Sequence, residues 1–199
     1  MANVMAVHSV GASLTTFLRN AYPEPLRTEH PCEFRLISSG ELAEPGDLGT
    51  AVTLYLYRIT VDEHARQRPA ARPSRDVNGP LNLALHYLVT VWSPSALTEH
   101  AIVSWVMSQF HQHPILDRSS LSPDAGWAPD DAVQLVPEEL STEDLMRVWD
   151  ALAPDYRLSV SYVARVVRID PEVSGAGRPV VATRYRYEDR AGGEEGGGG

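Results

Sequence analysis

The stretch Leu81–Trp92, LNLALHYLVTVW, places apolar side chains at every odd position: Leu81, Leu83, Leu85, Tyr87, Val89 and Val91. Ala84, Leu88 and Trp92 make much of the even face apolar as well. A strand apolar on both sides belongs in the middle of a sheet with layers above and below it. Twelve extended residues span roughly 40 Å, against a usual five or six residues per strand. Such a strand either crosses the whole domain or projects past it.

The segments on either side supply the rest of that sheet and its cover. Ala51–Val61 is rich in β-formers, with Val52, Leu54 and Leu56 on one face and Tyr55, Tyr57 and Ile59 on the other. Residues 157–169 alternate again. Leu158, Val160, Tyr162, Ala164 and Val166 face one way, and Ser159, Ser161 and Arg165 are expected to face water or a partner. Short runs at Glu33–Ile37 and 132–136 read as further strands, with a Gly/Pro/acid turn over 38–50. Three helices are expected. The first covers 4–22, with Val7, Val10, Leu14, Phe17 and Leu18 on one stripe, and is ended by Pro23 and Pro25. The second covers 95–112 behind Pro94, and Pro114 stops it. The third opens at Ser141, where Ser141–Asp144 approximates a capping box.

Two segments stand apart. Residues 62–80 hold Arg66, Arg68, Arg72 and Arg75 among Pro69, Pro73 and Pro80, too long a stretch for a hairpin turn. Residues 171–190 read as a Gly/Pro linker and an edge strand in which Arg184, Tyr185, Arg186 and Tyr187 alternate. Arginine and tyrosine are interface-enriched types, so both segments are candidate partner contacts. Residues 191–199 form a tail of one Ala with Gly and Glu that cannot pack. One domain over 1–190 followed by a disordered 191–199 is the expected division.

Composition narrows the function classes. The 199 residues carry 26 acids against 17 bases, a net charge of −9, and every base is arginine. An acidic chain repels a phosphate backbone at long range, so duplex nucleic acid is a poor partner. DNA contact through residues 66–75 remains the alternative reading. No run approaches the ~20 apolar residues of a membrane span, and no secretion signal is visible at the N-terminus. Cys32 is the lone cysteine, which fits a reducing compartment and a cytoplasmic location.

The residues offer no catalytic pattern. There is no nucleophile elbow and no phosphate-binding glycine loop. His100 and His111 lie about 16 Å apart along one helix, and His111 and His113 diverge, so no metal site is expected. Glu33 beside Cys32 raises the thiol pKa rather than activating it. The adjacent acids Glu138–Glu139 read as a solvated face. No enzyme activity and no cofactor are expected.

The ordered set of motifs carries a resemblance. VMAVHSVGASLTTFLRNAYP (Val4–Pro23), LYLYRI (Leu54–Ile59), PLNLALHYLVTVW (Pro80–Trp92), FHQHPIL (Phe110–Leu116), LVPEELSTEDLMRVWDAL (Leu135–Leu152) and LSVSYVARVVRID (Leu158–Asp170) follow one another. Together they resemble the cap, or tail-terminator, family of extracellular contractile injection systems. The resemblance implies an α/β (α+β) fold with a mixed, mainly antiparallel sheet flanked by about three helices. It implies a structural ring, expected to be hexameric, that closes the distal end of the inner tube and grips the last sheath layer. Partners would be other copies of the chain, the tube protein and the sheath protein, within an assembled particle. Some members carry a further C-terminal domain, for which this chain is expected to be too short.

Overall fold

A computed structural model describes residues 2–44, 46–61 and 81–169. The elements run α1 (Ala6–Ala21), α2 (Glu24–Glu29), β1 (Glu33–Ile37), α3 (Ser39–Ala43), β2 (Ala51–Val61), β3 (Leu81–Trp92), α4 (Ala96–Gln112), β4 (Ile115–Asp117), a 3-10 turn (Pro123–Ala125), β5 (Ala132–Glu138), α5 (Thr142–Asp150) and β6 (Ser159–Ile169). Among the described residues a six-stranded sheet has the order β1-β2-β3-β6-β5-β4. β1 pairs parallel with β2, and every other pairing is antiparallel. The expected mixed, mainly antiparallel sheet is therefore the one that forms.

β3 sits between its two longest neighbours and feeds two cores. Its odd side chains Leu85, Tyr87, Val89 and Val91 join Val10, Leu14 and Leu18 of α1 and Ile102, Val106 and Phe110 of α4. Its even side chains Leu88 and Trp92 join Ile37 of β1, Leu42 of α3 and Trp149 of α5 in a smaller core on the other face. Burying a Leu side chain stabilises by roughly 1.5–3 kcal/mol, so a strand buried from Leu83 to Trp92 anchors both layers at once. α1 serves one of them because Ala6, Val10, Leu14 and Leu18 recur every fourth residue on the face it buries.

Several local readings change. The segment expected to be only a turn over 38–50 holds α3, closed by a capping box: Glu41 N–H donates to Ser38 Oγ (3.3 Å) and Ser38 N–H to Glu41 Oε2 (2.9 Å). α2 and the three-residue β4 add to the expected elements. Ser95, not Pro94, caps α4, and Pro94 lies one residue further out. Ser159 and Ser161 are buried rather than turned to water. Ser159 Oγ lies 2.8 Å from Thr90 Oγ1, so these hydroxyls satisfy one another under the smaller core's layer.

Two bulges flank β3. The β2–β3 register passes from Leu56↔Tyr87 to Arg58↔His86, leaving Tyr57 as an extra residue. The β3–β6 register passes from Leu85↔Ala164 to Leu83↔Val167, so Arg165 and Val166 together oppose Ala84. Each insertion flips the alternation beyond it. Ile59, expected on the face of Tyr55 and Tyr57, instead stands opposite Leu85 on the face of Leu83 and Leu81.

Candidate functional site: the two ends of the central strand

The antiparallel register Val61↔Leu83 and Leu81↔Ile169 brings the end of β2, the start of β3 and the end of β6 to one end of the sheet. Beyond the bulges this end is amphipathic. One face carries Ile59 (48% exposed), Val61 (49%) and Leu81 (46%) beside the buried Leu83 and Val167. The other face carries Arg58, Thr60 and His86.

His86 is 6% exposed and belongs to a polar cluster that spans four strands, β2, β3, β5 and β6. The Glu138 carboxylate, at the end of β5, accepts from Tyr57 Oη (2.7 Å), His86 Nδ1 (2.9 Å), Ser161 Oγ (3.0 Å) and Arg58 Nη2 (3.0 Å). With Nδ1 on the carboxylate side, Nε2 faces Thr60 Oγ1 at 3.0 Å. The Tyr57 bulge makes the cluster possible, because it turns Tyr57 and Arg58 to the same face. Burial opposes charge on Glu138, but the bonds from His86, Tyr57 and Ser161 outweigh it and hold the carboxyl below the usual glutamate range. Burial pushes the Tyr57 hydroxyl up to about 12, so it stays a donor.

This cluster fixes strands and offers no reactive centre. Its carboxylate is saturated with donors, and its tyrosine is protonated at any ordinary pH. Among the described residues no group of three or more His, Cys, Asp or Glu side chains could hold a metal ion. Burial, more than the neighbouring Glu33 charge, pushes the Cys32 thiol up to about 12, which leaves it inert.

The opposite end of β3 has a different character. Trp92 meets Trp149 of α5 edge to face at 6.3 Å, and Trp149 in turn meets the half-exposed Tyr156 at 6.1 Å. Arg157 lies 5.5 Å above the Trp92 ring. Asp150 and Asp155, the sequence neighbours of Trp149 and Tyr156, are exposed.

The eight residues singled out from the sequence, Arg66, Arg68, Arg72, Arg75, Arg184, Tyr185, Arg186 and Tyr187, lie outside the described residues. The residues that flank them, Val61, Leu81 and Ile169, all belong to the amphipathic end. His86 and Glu138 escaped the sequence reading. Glu138 was assigned to a solvated face, yet its side chain is only 20% exposed. The available signal was the alternation of β5, which places Val136 and Glu138 on one face and Val133, Leu135 and Pro137 on the other.

No helix among the described residues is long and apolar enough to cross a membrane. A family model described as the Pvc16 N-terminal domain matches residues 9–183. Two cryo-EM structures share the fold. One is the sheath/tube terminator, in its extended state, of the extracellular contractile injection system PVC, at 21% identity and a TM-score of 0.57; the match covers 93% of this chain and 64% of that one. The other is the cap of the anti-feeding prophage, a tube-terminating cap, at 18% identity and a TM-score of 0.55; that match covers 94% of this chain and 62% of the other. The chain thus spans less than two thirds of the length of either protein. No curated protein sequence matches it.

Proposed function

Because this chain belongs to the Pvc16 N-terminal domain family, we propose that it is a structural cap subunit of a phage-tail-like contractile injection system. It closes the distal end of the inner tube and contacts the last sheath layer. The observation that carries this reading is the family match over residues 9–183, backed by a shared fold with two tube terminators. A donor-saturated carboxylate and an inert thiol fit a part that assembles rather than reacts.

The subunits form a ring, a homo-hexamer in the fullest form of the proposal. The unit is one domain over 1–190, in which 66–75 and 184–187 are the partner contacts and 191–199 is a tail. The protein enters the particle from the cytoplasm and needs no cofactor and no membrane. Nothing in the fold or the comparisons favours the DNA-binding alternative.

The experiment is deletion of the gene in the producing strain, with electron microscopy of the particles. The cap reading expects sheaths and tubes of irregular length, restored by the wild-type gene. Particles of normal length and end structure in the deletion strain would overturn it.

A further inference from the structure

β2 outruns the strand beside it. β1 runs along Ala51–Tyr55, while β3 accompanies β2 on its other side as far as Val61. From Leu56 to Val61, no strand among the described residues pairs with the β2 edge that faces away from β3. Native edges are commonly blunted by Lys, Pro or an inward-pointing charge. Ile59–Val61 reads Ile-Thr-Val, three β-branched residues with none of these, and Ile59 and Val61 are half-exposed. Two clefts open where β1 stops, and Ser39 and Tyr55 border both. One, of about 410 Å³, is bordered further by Val7 and His8 of α1 and by Leu36, Leu56 and Tyr87. The other, of about 540 Å³, lies toward α5 and is bordered by Tyr57, Arg58, Arg147, Val148 and Leu152. Val7, Leu56 and Tyr87 belong to the larger core, and Tyr57, Val148 and Leu152 to the smaller one. The two clefts therefore lie on opposite faces of the sheet, beside one open edge.

From this arrangement we propose that the outer edge of β2 receives an extended segment of a different protein, added as a further strand in line with β1. Successive side chains of a strand point to opposite faces, so those of the added segment enter the two clefts in turn. The cleft beside Val7, Leu36 and Leu56 takes apolar side chains. The cleft beside Arg58 and Arg147 takes a carboxylate. In strand addition, main-chain hydrogen bonds supply the affinity and pockets for alternate side chains supply the specificity. A second copy of this chain is the poorer occupant. Antiparallel pairing of two β2 edges would keep the faces of the joined sheet in common. The half-exposed Arg58 side chains of the two copies would then stand near one another on the same face, and like charges so placed repel. The proposal rests on the cap reading only for where the segment is found, in the assembled particle.

The test compares the full chain free and in purified particles. Amide exchange over Leu56–Val61, followed by mass spectrometry, is expected to slow in the particle relative to the free subunit. Ile59→p-benzoylphenylalanine, irradiated in particles, is expected to crosslink to one short stretch of a single other protein. Ile59→Lys with Val61→Lys supplies the charge that the edge lacks. Both positions are half-exposed, so this variant is expected to melt as the wild type does, yet to be lost from the particles. Crosslinks only to another copy of this chain, or only to its own residues, overturn the proposal. So does unchanged exchange over Leu56–Val61 in particles that contain the subunit, or a lysine variant that melts normally and assembles as the wild type does. A subunit missing from the wild-type particles would instead overturn the cap reading and this contact together, so the two failures are told apart.

Discussion

At the scale of single residues, Glu138 ties β2, β3 and β5 together through Tyr57, Arg58 and His86, with Ser161 of β6 as a fourth donor. Replacing it with Ala leaves buried donors without an acceptor, which costs about 2 kcal/mol by the penalty for unmade bonds. Urea unfolding at pH 7 measures this. The carboxylate also sets a pH dependence whose direction follows from its lowered pKa. In the unfolded chain it titrates near about 4.3, and in the fold it titrates lower. Its contribution is therefore complete above the unfolded value and is lost as pH falls through the folded one. Urea midpoints of the wild type should fall more steeply between neutral and acidic pH than those of Glu138→Gln. Parallel curves for the two proteins would show that the carboxylate's charge is not what the cluster holds.

At the scale of elements, β2 and β3 show how stability varies within a single pair. Leu85 and Ile59 are register partners, yet Leu85 is fully buried and Ile59 is half-exposed. Leu85→Ala should cost about 2–5 kcal/mol, and Ile59→Ser should stay within about 0.5 kcal/mol. Equal costs would mean that something in the monomer already covers the row. α1 poses a subtler case at Gly11, where a Cβ would come 2.9 Å from Leu36 Cδ2 and 3.4 Å from Tyr87 Oη. Leu36 is partly exposed and can move, so Gly11→Ala should be nearly neutral, with a helix-propensity gain of about 1 kcal/mol offsetting the shift. Gly11→Ile, with no such escape beside Tyr87, should cost about 1–3 kcal/mol in the same unfolding assay. The central strands and the two long helices α1 and α4 were legible in the sequence because their apolar periods run for ten residues or more, and the nine-residue α5 because Ser141 and Asp144 mark its start. The bulges were not, since one inserted residue such as Tyr57 alters the period without altering composition. For the same reason Ile59 was placed on the wrong face and the Tyr57–Glu138 cluster went unseen. Ser159 and Ser161 misled in another way: small hydroxyls on a strand look solvated until Thr90 and Glu138 are known to satisfy them.

At the scale of the whole molecule, the chain is acidic overall, yet residues 58–80 and 165–190 hold eleven of its seventeen arginines. Neutralising Arg66, Arg68, Arg72 and Arg75 together to Gln should weaken assembly while leaving the melting temperature of the isolated subunit unchanged. Sedimentation and thermal unfolding of the same samples decide it, and a collapse in melting temperature would mean those arginines serve the fold. The burial gradient along β3 has a further consequence in time. Amide hydrogens of Leu85 to Val91, enclosed by neighbours on both sides and layers above and below, should trade for deuterium only when the entire molecule opens. Those of Leu81 and Asn82, a few residues earlier in the same strand, should trade within the first moments. The slowest and the fastest clocks of the protein are expected to run about a dozen ångströms apart, at roughly 3.3 Å per residue.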